Sequence, residues 1–135
     1  MKHGTNLTSA EERLAEIIWN EAPLSSPELV SLAERLLDWK KSTTYTVLRK
    51  LCDKDVFKNE NARVSVLLTR NELITRESHR FVEDAFGGSL PRFIATFISG
   101  KKISRDQAEE IRRLIEENEN EENVNENGNG GGNNG

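Results

Sequence analysis

The chain has 135 residues and a net charge of −4, enough for one domain of ordinary size or for a small domain with a helical appendage. One cysteine and two histidines exclude an intrachain disulfide and are too few for a structural zinc site, so we expect no metal or other cofactor. No apolar run approaches the roughly 20 residues of a membrane span, and the N-terminus lacks a signal-peptide core, so we expect a cytoplasmic protein with no membrane insertion.

Two helices are predicted near the N-terminus. The first covers about residues 10–20, because Thr8 and Glu11 have the spacing of a capping box and apolar residues follow at helical spacing. The second begins at Ser26 and Pro27, where a serine N-cap precedes a proline at the first helical position. Both helices therefore present one apolar side to a common core.

The third helix, predicted from about Ser42 to Lys54, has two chemically distinct faces. At about 100° per residue, its apolar side gathers Thr44, Val47, Leu48 and Leu51. Its polar side gathers Thr43, Thr46, Arg49, Lys50 and Lys54, with Asp53 as the only carboxylate. Positive charge is concentrated here, since residues 39–58 contain six Lys or Arg and two Asp. Hydroxyls and cations in this arrangement suit contact with phosphates and base edges.

A β-hairpin is predicted after the third helix, with strands over 56–58 and 63–68 and a turn over 59–62. Three helices followed by a hairpin is the element order of a winged helix-turn-helix, in which the third helix enters the major groove. The predicted fold class is therefore mainly α with a small β-hairpin, and residues 1–68 form a winged helix-turn-helix DNA-binding domain.

Three further helices are predicted in a helical region over residues 69–117. Thr69 opens the first, Gly87 and Gly88 end it, Ser89 opens the second, and Ser104 opens the third. Their apolar residues would face water in a lone monomer, so we predict a homodimer interface, the alternative being that these helices fold back on the first domain. The predicted dimerisation residues are Phe81, Phe86, Leu90, Phe93, Ile94, Phe97, Ile98, Ile111 and Leu114.

The last 18 residues, 118–135, consist of eight Asn, five Gly, four Glu and one Val. This composition cannot form a core, so we predict a disordered tail whose default role is to aid solubility. An electrostatic brake on nonspecific DNA binding is the alternative. Because four of the 23 acids lie in the tail, residues 1–117 carry 19 acids and 19 bases, and this part of the chain is neutral.

A set of residues spread over the chain points to a known family. The set comprises Leu7-Thr8-Ser9-Ala10-Glu11, Ile18-Trp19, Trp39 with Thr43, Thr46, Leu48, Lys50 and Leu51, and Phe86-Gly87-Gly88-Ser89-Leu90. In this order, over about residues 5–117, it resembles the penicillinase-repressor family of bacterial transcription factors. The resemblance implies an N-terminal winged helix that binds an operator and a C-terminal helical region through which two chains dimerise. Thr44 stands where the family often has Val or Ile.

The resemblance narrows the base-reading set on the polar face to Thr43, Thr46 and Lys50, because short hydroxyls and a cation can reach base edges in the groove. The predicted phosphate contacts are Lys41, Ser42, Arg49 and Lys58, with Arg63 as a candidate on the wing. Tyr45 either stacks on a sugar or covers the core. The alternative for the whole set is a solvated helix face.

Family members that respond to β-lactams are released from DNA when a membrane sensor protease triggers cleavage of an Asn-Phe bond in the penultimate helix. The matching place here is Thr96-Phe97, so a sensor protease is a candidate partner but the cleaved sequence differs. The copper-responsive branch uses a cluster of C-terminal cysteines, and this chain has no cysteine after Cys52, which excludes that route.

These observations predict a transcriptional repressor that binds double-stranded operator DNA as a homodimer on a palindromic site. The rival prediction from another class is a winged-helix protein-interaction module whose cationic face binds an acidic protein partner. Neither His3 nor His79 has a nucleophile, base or metal partner at a telling spacing, so no enzyme is predicted.

Overall fold

A computed structural model describes the backbone of residues 6–133 and the side chains of residues 6–121. The chain divides into two compact units between Ser89 and Leu90. The first contains α1 (Ser9–Glu21), β1 (Leu24–Ser25), α2 (Ser26–Leu37), α3 (Lys41–Asp53), β2 (Phe57–Glu60), β3 (Arg63–Val66) and α4 (Arg70–Phe86). The second contains α5 (Leu90–Gly100) and α6 (Arg105–Asn133). The predicted fold class, mainly helical with a small antiparallel sheet, is confirmed.

Two helices begin with the capping boxes that the sequence predicts. At α1, the Glu11 N–H donates to Thr8 Oγ1 at 3.2 Å, and the Thr8 N–H donates to Glu11 Oε1 at 3.2 Å. Thr69 and Glu72 make the same reciprocal pair at α4. At the other end of α4, Gly87 has φ +58°, the left-handed conformation that closes a helix and that glycine adopts without a Cβ clash.

The predicted caps of the other two N-terminal helices are wrong by one or two residues. Ser25, not Ser26, accepts an N–H at the start of α2, so Pro27 occupies the second helical position, where a missing N–H breaks no helical hydrogen bond. At α3, where the predicted cap is Ser42 or a neighbouring residue, the N-cap is Lys40, and its side chain makes no capping hydrogen bond. Both helices thus begin slightly earlier than their polar side chains suggest.

The sheet has three antiparallel strands in the order β1-β3-β2. The hairpin register pairs Phe57 with Val66 and Glu60 with Arg63, which leaves a two-residue turn. Both turn residues, Asn61 and Ala62, have positive φ, at 53° and 58°, as a type I′ turn requires. The sequence predicts the hairpin but not β1, because two residues are too short to show a strand periodicity.

One hydrophobic core joins the helices and the sheet of the first unit. Its largest fully buried apolar side chains come from four helices and the β2–β3 hairpin, namely Leu14, Ile18, Leu29, Leu48, Leu51, Phe57, Val64 and Leu73, with Val56 between α3 and β2. Leu73 belongs to α4, so this helix is part of the first unit and the compact unit extends past the predicted boundary at residue 68. Trp19 and Trp39, which belong to the set that carries the family resemblance, are half-buried against this core.

The second unit exposes most of its apolar side chains. No residue of α5 is buried, although it carries an unbroken helical stripe of apolar residues. Helix α6 continues to Asn133, which differs from the predicted disordered tail from residue 118; the last two residues of that tail lie outside the described ones. A helix that is already formed adds one backbone hydrogen bond per residue, so it can continue past its last apolar residue. None of the described helices is both long and apolar enough to span a membrane.

Candidate DNA-binding surface

Over residues 41–51, the two predicted faces of α3 are confirmed by side-chain burial. Thr44, Val47, Leu48 and Leu51 are buried, whereas Lys41, Ser42, Thr43, Thr46, Arg49 and Lys50 are exposed. The buried face packs against α1, α2 and β2, so the helix cannot rotate about its axis without breaking the core. The exposed side chains therefore have a fixed presentation, which is what groove recognition needs.

The start of α3 is unusual among the helices of the first unit. Side chains cap α1, α2 and α4, whereas Lys40 leaves the first N–H groups of α3 without a side-chain acceptor. No acid lies in the first turn, and Lys41 occupies it. Free N–H groups, the positive end of the helix dipole and two lysines all favour an anion at this point. A DNA phosphate has the required charge and acceptor oxygens.

Thr44 and Tyr45 attach the start of α3 to the rest of the domain. The Thr44 hydroxyl is fully buried and donates to the carbonyl of Lys40 at 3.3 Å. The oxygen that distinguishes threonine from valine at this position is therefore hydrogen-bonded. The half-buried Tyr45 packs against the core, and its hydroxyl donates to Ser26 Oγ at 3.5 Å. Of the two predictions for Tyr45, this geometry favours covering the core.

The hairpin contributes charge of both signs. Lys58 on β2 is exposed, and its Nζ lies 2.8 Å from Glu60 Oε2. This hydrogen bond, together with the charge of Lys58, lowers the pKa of the exposed Glu60 carboxyl. Lys58 and Glu60 are two residues apart and so lie on the same side of the strand. Their spacing is visible in the sequence, but the prediction of Lys58 as a phosphate contact does not take Glu60 into account. Arg63 on β3 is exposed and lies opposite Glu60 in the register.

Lys54 does not belong to the exposed cationic face, contrary to the prediction. Its Nζ donates to Glu11 Oε1 at 2.6 Å and to Oε2 at 2.8 Å, and to the carbonyl of Asn6 at 3.0 Å. The side chain of Glu11 is 2% exposed and that of Lys54 34%, so the carboxylate is buried and the lysine side chain is half-buried. Helical periodicity predicts the direction in which Lys54 points, but it cannot predict that the buried carboxylate of Glu11 on α1 pairs with it.

A cleft of about 320 Å³ lies between α3 and β2, lined by Tyr45, Leu48, Arg49, Cys52 and Asn59. Burial raises the pKa of the Cys52 thiol and outweighs the lowering effect of the hydrogen bond with the Asn59 backbone. The thiol is therefore protonated at neutral pH, which does not favour redox or nucleophilic chemistry. Among residues 6–121, no three His, Cys, Asp or Glu side chains are grouped so that they could hold a metal ion.

The predicted dimerisation residues are divided between the two units, with Phe81 and Phe86 on α4 and the others on α5 and α6. Phe81 is 54% exposed, Leu90 57%, Phe97 54% and Leu114 55%. Ile94, Ile98 and Ile111 are also exposed, and Phe86 and Phe93 are half-buried. Thr96 and Phe97, at the predicted cleavage position, are both exposed on α5.

Comparison with known proteins gives one consistent result. The family model described as "Penicillinase repressor" matches residues 7–117. The penicillinase repressor of Bacillus licheniformis is 22% identical over 121 residues, covering 87% of this chain and 94% of that protein. The methicillin resistance regulatory protein MecI of Staphylococcus aureus (strain N315) is 22% identical over 113 residues, covering 81% and 92%. The penicillinase repressor of Staphylococcus aureus is 20% identical over 113 residues, covering 81% and 90%.

Proposed function

Because this chain belongs to the penicillinase repressor family, we propose that it is a DNA-binding transcriptional repressor. The observation that carries the proposal is α3, whose buried face is fixed in the core and whose exposed face carries hydroxyls and cations. The uncapped start of the helix adds a position for a phosphate. The proposed site of action is the bacterial cytoplasm, where an operator is accessible, and no enzymatic step is part of the proposal.

In the proposed complex, α3 enters the major groove. Thr43, Thr46 and Lys50 read base edges, since they lie on successive turns of the exposed face. The phosphate contacts are Lys41, Ser42, Arg49, Lys58 and Arg63, and Lys58 gives up part of its pairing with Glu60 to make one. Tyr45, tied to Ser26, is at most a sugar contact beside the groove.

The operator in this proposal is palindromic because the repressor binds as a homodimer. Support comes from the apolar side chains that α4, α5 and α6 each expose, because exposed apolar patches mark interaction surfaces. Two chains related by a two-fold axis would read half-sites separated by about one helical turn of DNA, roughly 10 bp, or a multiple of it.

Release from the operator is the last step of the proposal. Cleavage at Thr96-Phe97, triggered by a membrane sensor protease, is the route that the family offers, and both side chains are accessible on α5. The helix must open locally before a protease can bind the peptide bond in an extended form. Incubation with such a protease, followed by mass spectrometry of the fragments, tests this route; cleavage elsewhere or none rejects it.

The base-reading and phosphate-binding roles make different predictions for two alanine variants. A binding site is first selected from a random DNA pool, and gel-shift titrations then compare it with a scrambled duplex. Lys50→Ala should weaken binding to the selected site by about 1–3 kcal/mol and barely affect the scrambled one. Arg63→Ala should weaken both about equally. Equal loss on both duplexes for Lys50→Ala contradicts its base-reading role.

Salt dependence separates a DNA reader from a module that binds an acidic protein. Each phosphate neutralised should contribute about 0.9 log units of affinity per log unit of salt on duplex DNA. Sequence selection must also appear, because nonspecific attraction to a polyanion gives the salt slope alone. A chain that selects no sequence from the random pool is not the proposed repressor.

A further inference from the structure

The start of α4 is joined to α1 by a group of four residues, Glu16, Trp19, Leu68 and Arg70, which we term the α4 anchor. Trp19 Nε1 donates to the carbonyl of Leu68 at 2.9 Å. The Trp19 ring also packs on Phe57 of β2, with 5.5 Å between ring centroids. Trp19 therefore connects α1, the wing and the residues that lead into α4.

Arg70, the first residue of α4, contacts two residues one helical turn apart on α1. Its guanidinium carbon lies 5.2 Å from the centroid of the Trp19 ring, a cation–π distance. Its Nη2 forms an ion pair with the carboxylate of Glu16. A cation at the N-terminus of a helix opposes the helix dipole, so Arg70 does not serve the stability of α4 as an isolated helix. Its contacts instead fix where α4 leaves the domain.

Beyond the anchor, the buried residues of α4 are Leu73 and Glu77, both in the first half of the helix. Beyond them the helix is exposed or half-buried as far as Phe86. The predicted dimer contacts Phe81 and Phe86 lie beyond these two buried residues, in the second half of α4.

A small change at the anchor is amplified along the helix. The 17 residues of α4 span about 25 Å at 1.5 Å per residue. A tilt of about 10° at the start would move the far end by roughly 4 Å, which is comparable to the 3.4 Å rise of one base pair. Moving a half-site by one base pair also turns it by about 35° around the DNA axis.

We propose that Trp19 and Arg70 are positioning residues that determine which half-site spacing the dimer accepts. This rests on the proposed function, because spacing has a meaning only when two DNA-binding domains are paired. With the anchor intact, each α3 has a fixed direction relative to the dimer contacts on α4, and one spacing fits. With the anchor broken, α4 swings at its start, and α3 follows half-sites that are displaced and rotated.

The test measures binding to a set of duplexes that carry two copies of the selected half-site at spacings changed by single base pairs, and to a duplex with one half-site. The full chain is compared with Arg70→Met, Arg70→Lys and Trp19→Phe. Trp19→Phe keeps a ring beside Phe57 but removes the N–H that bonds Leu68. Arg13→Met is the matched control, since Arg13 is an exposed arginine on α1 outside the anchor.

We expect the unchanged chain and Arg13→Met to lose about tenfold in affinity for one base pair added or removed. Arg70→Met and Trp19→Phe should lose only about two- to threefold, with single half-site affinity unchanged within about twofold. Arg70→Lys, which keeps the charge but not the planar stacking, should lie between them. Thermal unfolding of each variant confirms that it is folded.

Three results overturn the proposal. If Arg70→Met and Trp19→Phe keep the sharp profile of the unchanged chain, the anchor does not set the spacing, while the repressor function stands. If they lose affinity for one half-site as much as for two, the anchor supports α3 itself rather than the spacing. If the unchanged chain itself gives a negative result, the anchor has no spacing to set: without a spacing preference the repressor function still stands, whereas without sequence selection it fails too.

Discussion

Glu11 is the most completely buried carboxylate among the described residues of the first unit. It is 1% exposed, completes the capping box of α1 and holds Lys54 at the end of α3. Burial is the largest single influence and raises its pKa, but the hydrogen bonds from Lys54 and Thr8 and the charge of Lys54 together outweigh it. The pKa of Glu11 therefore lies below its ordinary value of 4.5, and the ionised form is favoured by folding.

Removing the cation from this pair should be costly. Lys54→Met leaves Glu11 buried without its counter-ion, and we expect a loss of about 3 kcal/mol in the free energy of unfolding, measured with urea at pH 7. Lys40→Met, which removes an exposed lysine at the other end of α3, should change it by less than about 0.5 kcal/mol. Adding Glu11→Leu to Lys54→Met should recover part of the loss, because no buried charge remains.

The pH dependence of the same variant gives an independent check. Because the folded-state pKa of Glu11 is depressed, its contribution is present above about pH 4.5 and is lost as the pH falls through the folded-state value. The stability difference between the unchanged chain and Lys54→Met should therefore shrink below about pH 4.5. A difference that stays constant to pH 3 would show that the cost comes from lost packing of the lysine stem.

Residue-scale predictions from the sequence succeed where the cause is local. The Thr8–Glu11 box depends on residues three positions apart, and the buried face of α3 on helical periodicity, so both are visible in the sequence. The partner of Lys54 is 43 residues away in the chain, and no periodic pattern connects the two. The same holds for Tyr45 and Ser26, which are 19 residues apart.

At the scale of elements, one residue in the turn of the wing is not the one that the turn conformation favours, so replacing it should stabilise the protein. Ala62 has φ +58° at the second central position of the turn, where glycine is preferred because an alanine Cβ is crowded. We expect Ala62→Gly to raise the free energy of unfolding by up to about 1 kcal/mol, measured by urea unfolding. The Ala62 carbonyl still accepts the Ser26 N–H at 2.8 Å, so the contact with α2 is retained.

Asn61→Gly is the matched comparison for this prediction. Asn61 has φ 53°, but asparagine tolerates the left-handed region better than alanine does, so the gain should be smaller. A loss of stability in Ala62→Gly would mean that the greater freedom of glycine in the unfolded chain outweighs the relief of crowding.

Elements with strong local signals are predictable from the sequence, and elements made by pairing are not. The helices and the hairpin follow from periodicity, caps and turn residues. Strand β1 exists because Leu24 and Ser25 pair with Val64 and Arg63, which lie far along the chain. The start of α3 at Lys41 is also missed, because the usual sign of a helix start is a capping side chain and Lys40 supplies none.

At the scale of the whole molecule, residues 118–135 contribute negative charge, and their described side chains contribute no residue of the hydrophobic core. The described side chains at 118–121 are exposed, and removing the segment removes four of the 23 acids and no base. We expect a chain ending at Glu117 to bind its selected operator within about twofold of the full chain at physiological salt, because exposed charges more than about 8 Å away are largely screened. Fluorescence anisotropy titrations measure this directly.

Lowering the salt is the control for the same truncation. At about 0.01 M salt the screening length rises to about 30 Å, so the truncated chain should bind scrambled DNA more tightly than the full chain does. A loss of more than about tenfold on the selected operator would mean instead that these residues support the dimer.

The whole-molecule organisation was partly predictable. The family and the fold class follow from residues spread along the chain, as the match over 7–117 agrees. The boundary of the first unit is less visible, because α4 has an ordinary amphipathic pattern that does not say which core Leu73 enters. The apolar stripes of α5 and α6 predict burial, but a single sequence does not name the surface that covers them.

The start of α3, which has no capping side chain, has a consequence for protein engineering. A library screened only for heat resistance would enrich serine, aspartate or asparagine in place of Lys40, since each supplies the acceptor that the helix lacks. In a repressor of the proposed kind, the same replacements would fill the position of a phosphate and remove a cation beside it. Thermostable progeny of such a screen would then be poor regulators, and the defect would go unnoticed until they were assayed on DNA.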